Sequence, residues 1–271
     1  MKKVLLLMII AASTAAFLPS CKKDVVKGCT NTDAFNYDSK ATEDDGTCIA
    51  PLQVQKTTLM DFTGVECGIC SATGIPCFMQ AIKDNPSKVV PFGVHCGTGD
   101  PMNNNTSLGL SSAYNVSGIP QIAVGNTESV NISAASLNAA IASNTASAAS
   151  VGMVAKMTAN GNLLSISARV KFFSALSGEY WLAVYAMENG VVAHQINMPD
   201  PFSHFHVIRG CANQTGGYRG EKIVVASVAA GTIIDKTYSY TLPAGCNAAN
   251  AYISLVLWKK ETSSWKFVNA N

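Results

Sequence analysis

Charge is scarce in this sequence: Asp, Glu, Lys and Arg together make up 13% of its 271 residues. No glycine-rich loop stands between a strand and a helix pattern where a phosphate would be cradled. No serine-histidine-acid constellation can be inferred from spacing, so neither nucleotide nor triad-hydrolase chemistry has a motif here. The longest apolar run, "VLLLMIIAASTAAFL", is roughly 15 residues, short of the ~20 that a spanning helix requires. A basic excess is missing too. Two of the 19 basic residues, Lys2 and Lys3, precede that run, and without them the rest balance the 17 acidic ones. No footprint for nucleic acid remains. What is plentiful is apolar content, 48%, with 21 Gly and 10 Pro, a globular composition sufficient for one large or two ordinary domains.

The start reads as a targeting segment. Lys2-Lys3, the apolar run and then "LPSC" look like a bacterial lipoprotein signal, with residues 1–20 removed and Cys21 lipidated; Pro19 departs from the usual pattern. At ~0.8 kcal/mol per buried methylene, two or three acyl chains hold a soluble body firmly to a membrane. Nine cysteines in an exported chain meet an oxidising compartment where disulfides persist. With Cys21 acylated the remaining thiols are even in number.

Residues 21–50 read as a charged tether and an acidic, cysteine-bounded module, "GCTNTDAFNYDSKATEDDGTC". It resembles small "GCTD…NY…DDGSC" modules of Bacteroidetes surface proteins. So little apolar content needs a staple, and a Cys29–Cys48 bridge closing about 20 residues supplies on the order of 3 kcal/mol. Asn36, Asp38, Asp44 and Asp45 offer oxygen ligands to calcium; the plainer reading is a closed spacer with solvated carboxylates.

From residue 51 to 145 the pattern alternates strand and helix, an α/β layer. "TTLMDF", "KVVPFGVH" and "PQIAVG" are the strands; "CSATGIPCFMQAIKDN", interrupted at Gly74 and Pro76, "SLGLSSAYN" and "SAASLNAAIASN" are the helices. Residues 151–271 are strand after strand. In "LLSISARVKFF", Leu164, Ile166, Ala168, Val170 and Phe172 alternate with polar residues, and Asn-Gly pairs at 160–161 and 189–190 signal hairpins. The expectation is an antiparallel β-sandwich of the immunoglobulin or fibronectin kind.

Chemistry concentrates in "DFTGVECGIC". A CxxC is by itself a redox pair, half a zinc site or two core cysteines. Following a strand and opening a helix, it lies where unsatisfied amides and the helix dipole favour a thiolate, so Cys67 would attack and Cys70 resolve. "VSGIPQIAVG" resembles the thioredoxin segment in which a cis-proline opens a strand, so Ile119-Pro120 would shape a substrate groove. The match implies a thioredoxin-like domain. Glu66 replaces the usual aromatic residue, and a carboxylate there opposes ionisation of Cys67. Cys96, after the second strand, is a candidate third thiol. With His95, Cys67 and Cys70 it also permits zinc, although adjacent ligands in an oxidising compartment weigh against a metal. Cys77 lies two turns deeper along the helix.

Together with "HCGTGDPM" at 95–102, "HFHVIRG" at 204–210 and the lipoprotein start, these motifs resemble the outer membrane protein 28 related family of Bacteroidetes lipoproteins. That resemblance implies a thioredoxin-like domain joined to a β-sandwich in the cell envelope, at the outer membrane, facing the periplasm or the cell surface. Two functions follow. One is thiol-disulfide exchange with envelope proteins, making the chain an oxidoreductase; the other is a non-enzymatic binding lipoprotein whose CxxC is a structural bridge. No cofactor beyond calcium is implied, and no nucleic acid. His204 and His206 would share one side of a strand, as a two-histidine site requires, or pack at a domain interface. Cys211 and Cys246 are the expected bridge of the sandwich; Trp181, Trp258 and Trp265 are read as core packing.

Overall fold

A computed structural model describes residues 24–271; the leader and Cys21 lie outside the described residues. The acidic module comes first, with Cys29 bonded to Cys48. Its four candidate calcium ligands do not converge. Asp38 accepts from the Lys40 amide, Asp44 from Gly46 and Asp45 from Thr47, each closing a local turn, while Asn36 Oδ1 accepts from the Ile49 amide across the module. The module docks through Phe35, which lies 4.7 Å beneath the Arg169 guanidinium, and through an ion pair of Asp33 with Lys171.

The alternating region yields Thr57–Thr63 (β1), Ile75–Asp84 (α1), Val89–His95 (β2), Asn105–Ala113 (α2), Gln121–Val124 (β3), Thr127–Val130 (β4) and Ala134–Asn144 (α3). β1 is buried along its length because its two faces are both covered: Leu59 packs with α1 and α3, Met60 and Phe62 with the opposite core. Asn104 starts α2 by accepting from the Thr106 and Ser107 amides.

The rest is strand-rich: Val151–Asn160 (β5), Leu163–Phe172 (β6), Glu179–Glu188 (β7), Val207–Cys211 (β8), Glu221–Val224 (β9), Ile233–Thr241 (β10), Ala251–Lys260 (β11) and Trp265–Ala270 (β12). β5 and β6 form a hairpin at Asn160-Gly161, with Gly161 at φ +56° as a tight primed turn demands. Asn189-Gly190 makes no hairpin. β7 is already paired with β11 and β8, and the chain after Gly190 leaves on an excursion that carries its own short pairing of Val191–Ala193 with Phe202–His204.

Strands from both expected units share one sheet. Its order is β12-β11-β7-β8-β2-β1-β3-β4, with β9 also on β7, nine strands in all. α2 and the turn Gln214–Arg219 cover one face, over a core of Phe62, Phe92, Tyr185, Ile208 and Trp258. The other face is divided. α1 and α3 cover the β1 half, and a three-stranded sheet, β10-β6-β5, covers the β7 half through Leu164, Ile166, Leu182, Val184 and Leu255. The sandwich is therefore partial, one small sheet on half of a larger one. The division also corrects the expected Cys211–Cys246 bridge: both are free thiols, because Cys211 points into the α2-side core and Cys246 packs against the opposite one.

The join between the halves lies at Gly93. β8 runs parallel to β2 with Val207 opposite Gly93, whose amide donates to the His206 carbonyl at 2.6 Å. A β-carbon at Gly93 would stand 2.9 Å from the Phe205 carbonyl oxygen. We predict that Gly93→Val forces the strands apart and destabilises the protein by about 1–3 kcal/mol, measured by denaturant unfolding. Gly118→Val, at a position with open space around it and no left-handed backbone, serves as the comparison.

Candidate functional site

β1 delivers the chain to Gly64, and a short turn follows to Cys67, which is bonded to Cys70. The Cys70 amide donates to Cys67 Sγ at 3.0 Å, and the Ser71 hydroxyl to the Gly68 carbonyl at 2.9 Å. Cys70 is fully buried whereas Cys67 is partly open, so an incoming sulfur meets Cys67. The helix behind them is interrupted where Gly74 and Pro76 predict it. Residues Cys70–Gly74 form one wide π turn, closed by the Ile75 amide on the Cys70 carbonyl, before α1 begins. Pro76 has no N–H to give and its ring crowds the carbonyl four residues back, which breaks α register at this point.

The Ile119-Pro120 bond is cis, and the Ile119 carbonyl oxygen lies 3.6 Å from Cys67 Sγ. Proline approaches this closely because Gly74 leaves room: a β-carbon there would meet Pro120 Cβ at 2.9 Å. The two sequence signals, 49 or more residues apart, thus converge on one sulfur.

Asp61 is a candidate site residue that sequence reasoning missed. It sits on β1 with 2% exposure, Oδ1 has no hydrogen-bond partner among the described residues, and burial pushes its carboxyl up to about 7. A β-carbon on Gly74 would stand 3.7 Å from that oxygen, which puts the carboxyl under the first turn after Cys70. A lone acid inside "TTLMDFT" was the available signal. Below it a cavity of about 300 Å³ is lined by Asp61, Thr63, Phe78, His95, Phe202 and His204.

Glu66, by contrast, is exposed, with Oε1 3.9 Å from His194 Nε2. Solvent screens its charge, which weakens the expected suppression of Cys67. Cys96 is a free, half-buried thiol raised chiefly by burial, with the Asp100 and Asp61 carboxylates adding to the rise. The zinc arrangement finds its ligands committed elsewhere: Cys67 and Cys70 are disulfide-bonded, and His95 Nδ1 lies 2.7 Å from Asp100 Oδ2. Burial alone would raise the Asp100 carboxyl, but the His95 ring and the amides of Met102 and Val65 hold it below its usual range. Cys77 packs with α1 and α3, across the sheet from Cys96.

The excursion after Gly190 contributes a wall. The Ile196 amide donates to the Val65 carbonyl at 2.9 Å and Gln195 Nε2 to the same oxygen at 3.1 Å, fixing the turn that carries Cys67. His204 and His206 do not share a face. His206 has φ +57° and turns the chain, so its Nδ1 meets the Tyr252 hydroxyl at 2.7 Å while the His204 ring stacks edge-on against His95 at 5.1 Å. Burial lowers both imidazoles to about 4, and both are neutral at pH 7. Trp258 is core; Trp181 and Trp265 lie edge to face at 5.5 Å, partly buried.

Among the described residues no helix is long and apolar enough to cross a membrane, which says nothing of a β-barrel. No curated protein matches the sequence. Among solved structures, HBP35 of Porphyromonas gingivalis is similar at a TM-score of 0.68, with 16% identity over 82% of this chain and 75% of that one, a likeness of fold. A domain of the outer membrane lipoprotein Omp28 from Porphyromonas gingivalis is 18% identical over 45% of this chain and 85% of its own, at a TM-score of 0.31. The family model for the outer membrane protein Omp28 matches residues 108–269. That match spans more than half of the sequence, and the chain belongs to the Omp28 family of outer membrane proteins.

Proposed function

We propose that this outer membrane protein is a lipoprotein, tethered through Cys21, whose thioredoxin-like region exchanges disulfides with envelope proteins. The observation that carries the reading is the contact of the cis Ile119-Pro120 segment with Cys67: an unpaired backbone edge lies against the one accessible sulfur of a strand-dithiol-helix unit. Starting from the disulfide, a substrate thiolate attacks Cys67 Sγ, the Cys67–Cys70 bond breaks, and Cys70 leaves as a thiolate that takes a proton from the protonated Asp61 carboxyl. The substrate's second thiolate then attacks its own sulfur in the mixed disulfide and releases Cys67. The substrate is oxidised by two electrons and the dithiol reduced by two; with a reduced dithiol the same path runs backwards. The alternative, a permanent bridge in a surface-binding lipoprotein, draws on the 191–206 excursion, which covers one flank of the dithiol.

Two tests follow. Cys70→Ser leaves Cys67 without its resolving partner, so incubation with oxidised glutathione should give a stable adduct on Cys67, seen by mass. Cys67→Ser, which leaves only the buried Cys70, should form its adduct at least about tenfold more slowly. Equal and slow labelling of both variants would favour the structural bridge. Asp61 gives a pH test. Its unfolded carboxyl loses a proton near 3.8 and its folded one at about 7. Across that window the unfolded chain has released a proton the folded chain keeps, so stability falls as pH rises, and the penalty is complete above pH 7. Asp61→Asn should therefore gain stability relative to wild type on going from about pH 4 to about pH 8, by on the order of 2–4 kcal/mol in denaturant titrations. An unchanged difference across this range would show that Asp61 titrates normally and is no proton store for Cys70.

A further inference from the structure

On the α2 face, Arg219 ends the turn Gln214–Arg219. The chain has three arginines. Two of them are held by carboxylates: Arg169 by Asp235 and Arg209 by Glu188, each at 2.7 Å. Arg219, at 5% exposure, has none among the described residues. Its guanidinium carbon lies 4.5 Å from the Trp258 ring centre, 4.9 Å from Trp265 and 5.2 Å from Tyr218, so three aromatic faces surround the cation. Aromatic faces attract the charge but do not accept its in-plane hydrogen bonds, and Nε and Nη1 are buried with no acceptor among the described residues. A desolvated guanidinium with unfilled donors is an unfavourable arrangement unless something completes it.

Arg219 borders a small pocket of about 40 Å³ that Tyr114, Asn126, Glu128, Trp258 and Trp265 also line. This exceeds the ~10–15 Å³ that a single water-sized group needs. The other polar side chains around it are already occupied. Tyr114 donates to the Gly125 carbonyl at 2.9 Å, Asn126 pairs with the Phe267 amide and carbonyl at 2.7 and 3.0 Å, and Glu128 accepts from Asn115 at 2.8 Å. A second cation, Lys260, lies over Trp265 at 5.8 Å. We propose that Arg219 anchors a binding site for the carboxylate group of a small ligand, which enters past Trp265 and supplies the counter-charge and acceptor that the guanidinium lacks. The site is independent of the dithiol and of any redox role. Glu128 is the rival occupant, because it is a carboxylate that lines the same pocket.

The test titrates the full-length protein in detergent with sodium acetate, sodium phosphate and sodium sulfate separately, against sodium chloride at matched ionic strength. The readouts are tryptophan emission, since two indoles flank the guanidinium, and thermal unfolding. Acetate is expected to change emission saturably and raise the midpoint where chloride does neither. Arg219→Gln should abolish the response and Arg219→Lys should weaken it by about tenfold or more, having charge without the fork. Glu128→Gln should leave acetate binding as tight or tighter, because a like charge at the rim is removed; this arm and the wild-type titration stand even where an Arg219 variant does not fold. The proposal is overturned when wild type responds to acetate no more than to chloride, or when Arg219→Gln retains the response. Saturation by phosphate or sulfate without acetate overturns the carboxylate assignment. A Glu128→Gln protein that becomes acetate-dependent for stability, beside an indifferent wild type, makes Glu128 the native partner and overturns it as well.

Discussion

The Gly93 amide donates to the His206 carbonyl at 2.6 Å, and at this point a layer of strands from residues before 131 becomes continuous with strands from residues after 178. Only a residue without a side chain lets the Phe205 carbonyl so near. Much of the architecture hangs on that approach. It sets β8 beside β2, which lets one α2-side core run from Phe62 to Trp258. It also fixes the far end of the 191–206 excursion. With its end pinned at His206, Gln195 and Ile196 reach the Val65 carbonyl and hold the turn that presents Cys67. The strand-rich half is thereby part of the dithiol's surroundings, rather than a separate module hung beside it.

Two carboxylates flank the dithiol, and burial separates their roles. Glu66 is next to Cys67 in sequence but stands in solvent, where its field is screened. Asp61 is six residues away in sequence but has 2% exposure, under the turn that holds Cys70. Desolvation moves its titration to about 7, where a proton store for a buried thiolate is useful. Proximity along the chain was thus a poor guide to electrostatic effect, and depth a good one.

Much of the element order was legible because short-range rules govern it. β6 alternates in the structure as in the sequence, Asn160-Gly161 forms its hairpin, and the break at Gly74 and Pro76 follows from the missing N–H of proline. Both signals of the candidate site, Cys67-Gly-Ile-Cys70 and Ile119-Pro120, were readable, since each is a local pattern with a mechanism. Long-range pairing was not. Asn189-Gly190 has the chemistry of a hairpin, but β7 had better partners in β11 and β8, so tertiary pairing overrode the turn signal. Cys211 and Cys246 looked like a pair only while the sheet between them was unknown. His204 and His206 share strand spacing, yet the left-handed conformation at His206 turns them apart. Asp61 was visible as a lone acid in an apolar strand, and its importance came only with the depth of the strand in the sheet.

Everything proposed for the dithiol requires that the Cys67–Cys70 bond is exchanged and is not a permanent staple. Equilibrating the protein with glutathione redox buffers and quantifying the reduced dithiol by thiol alkylation gives its reduction potential directly. Exchange requires a potential above about −300 mV, within reach of envelope redox couples; a value clearly below about −300 mV, the range of structural disulfides, would rule it out.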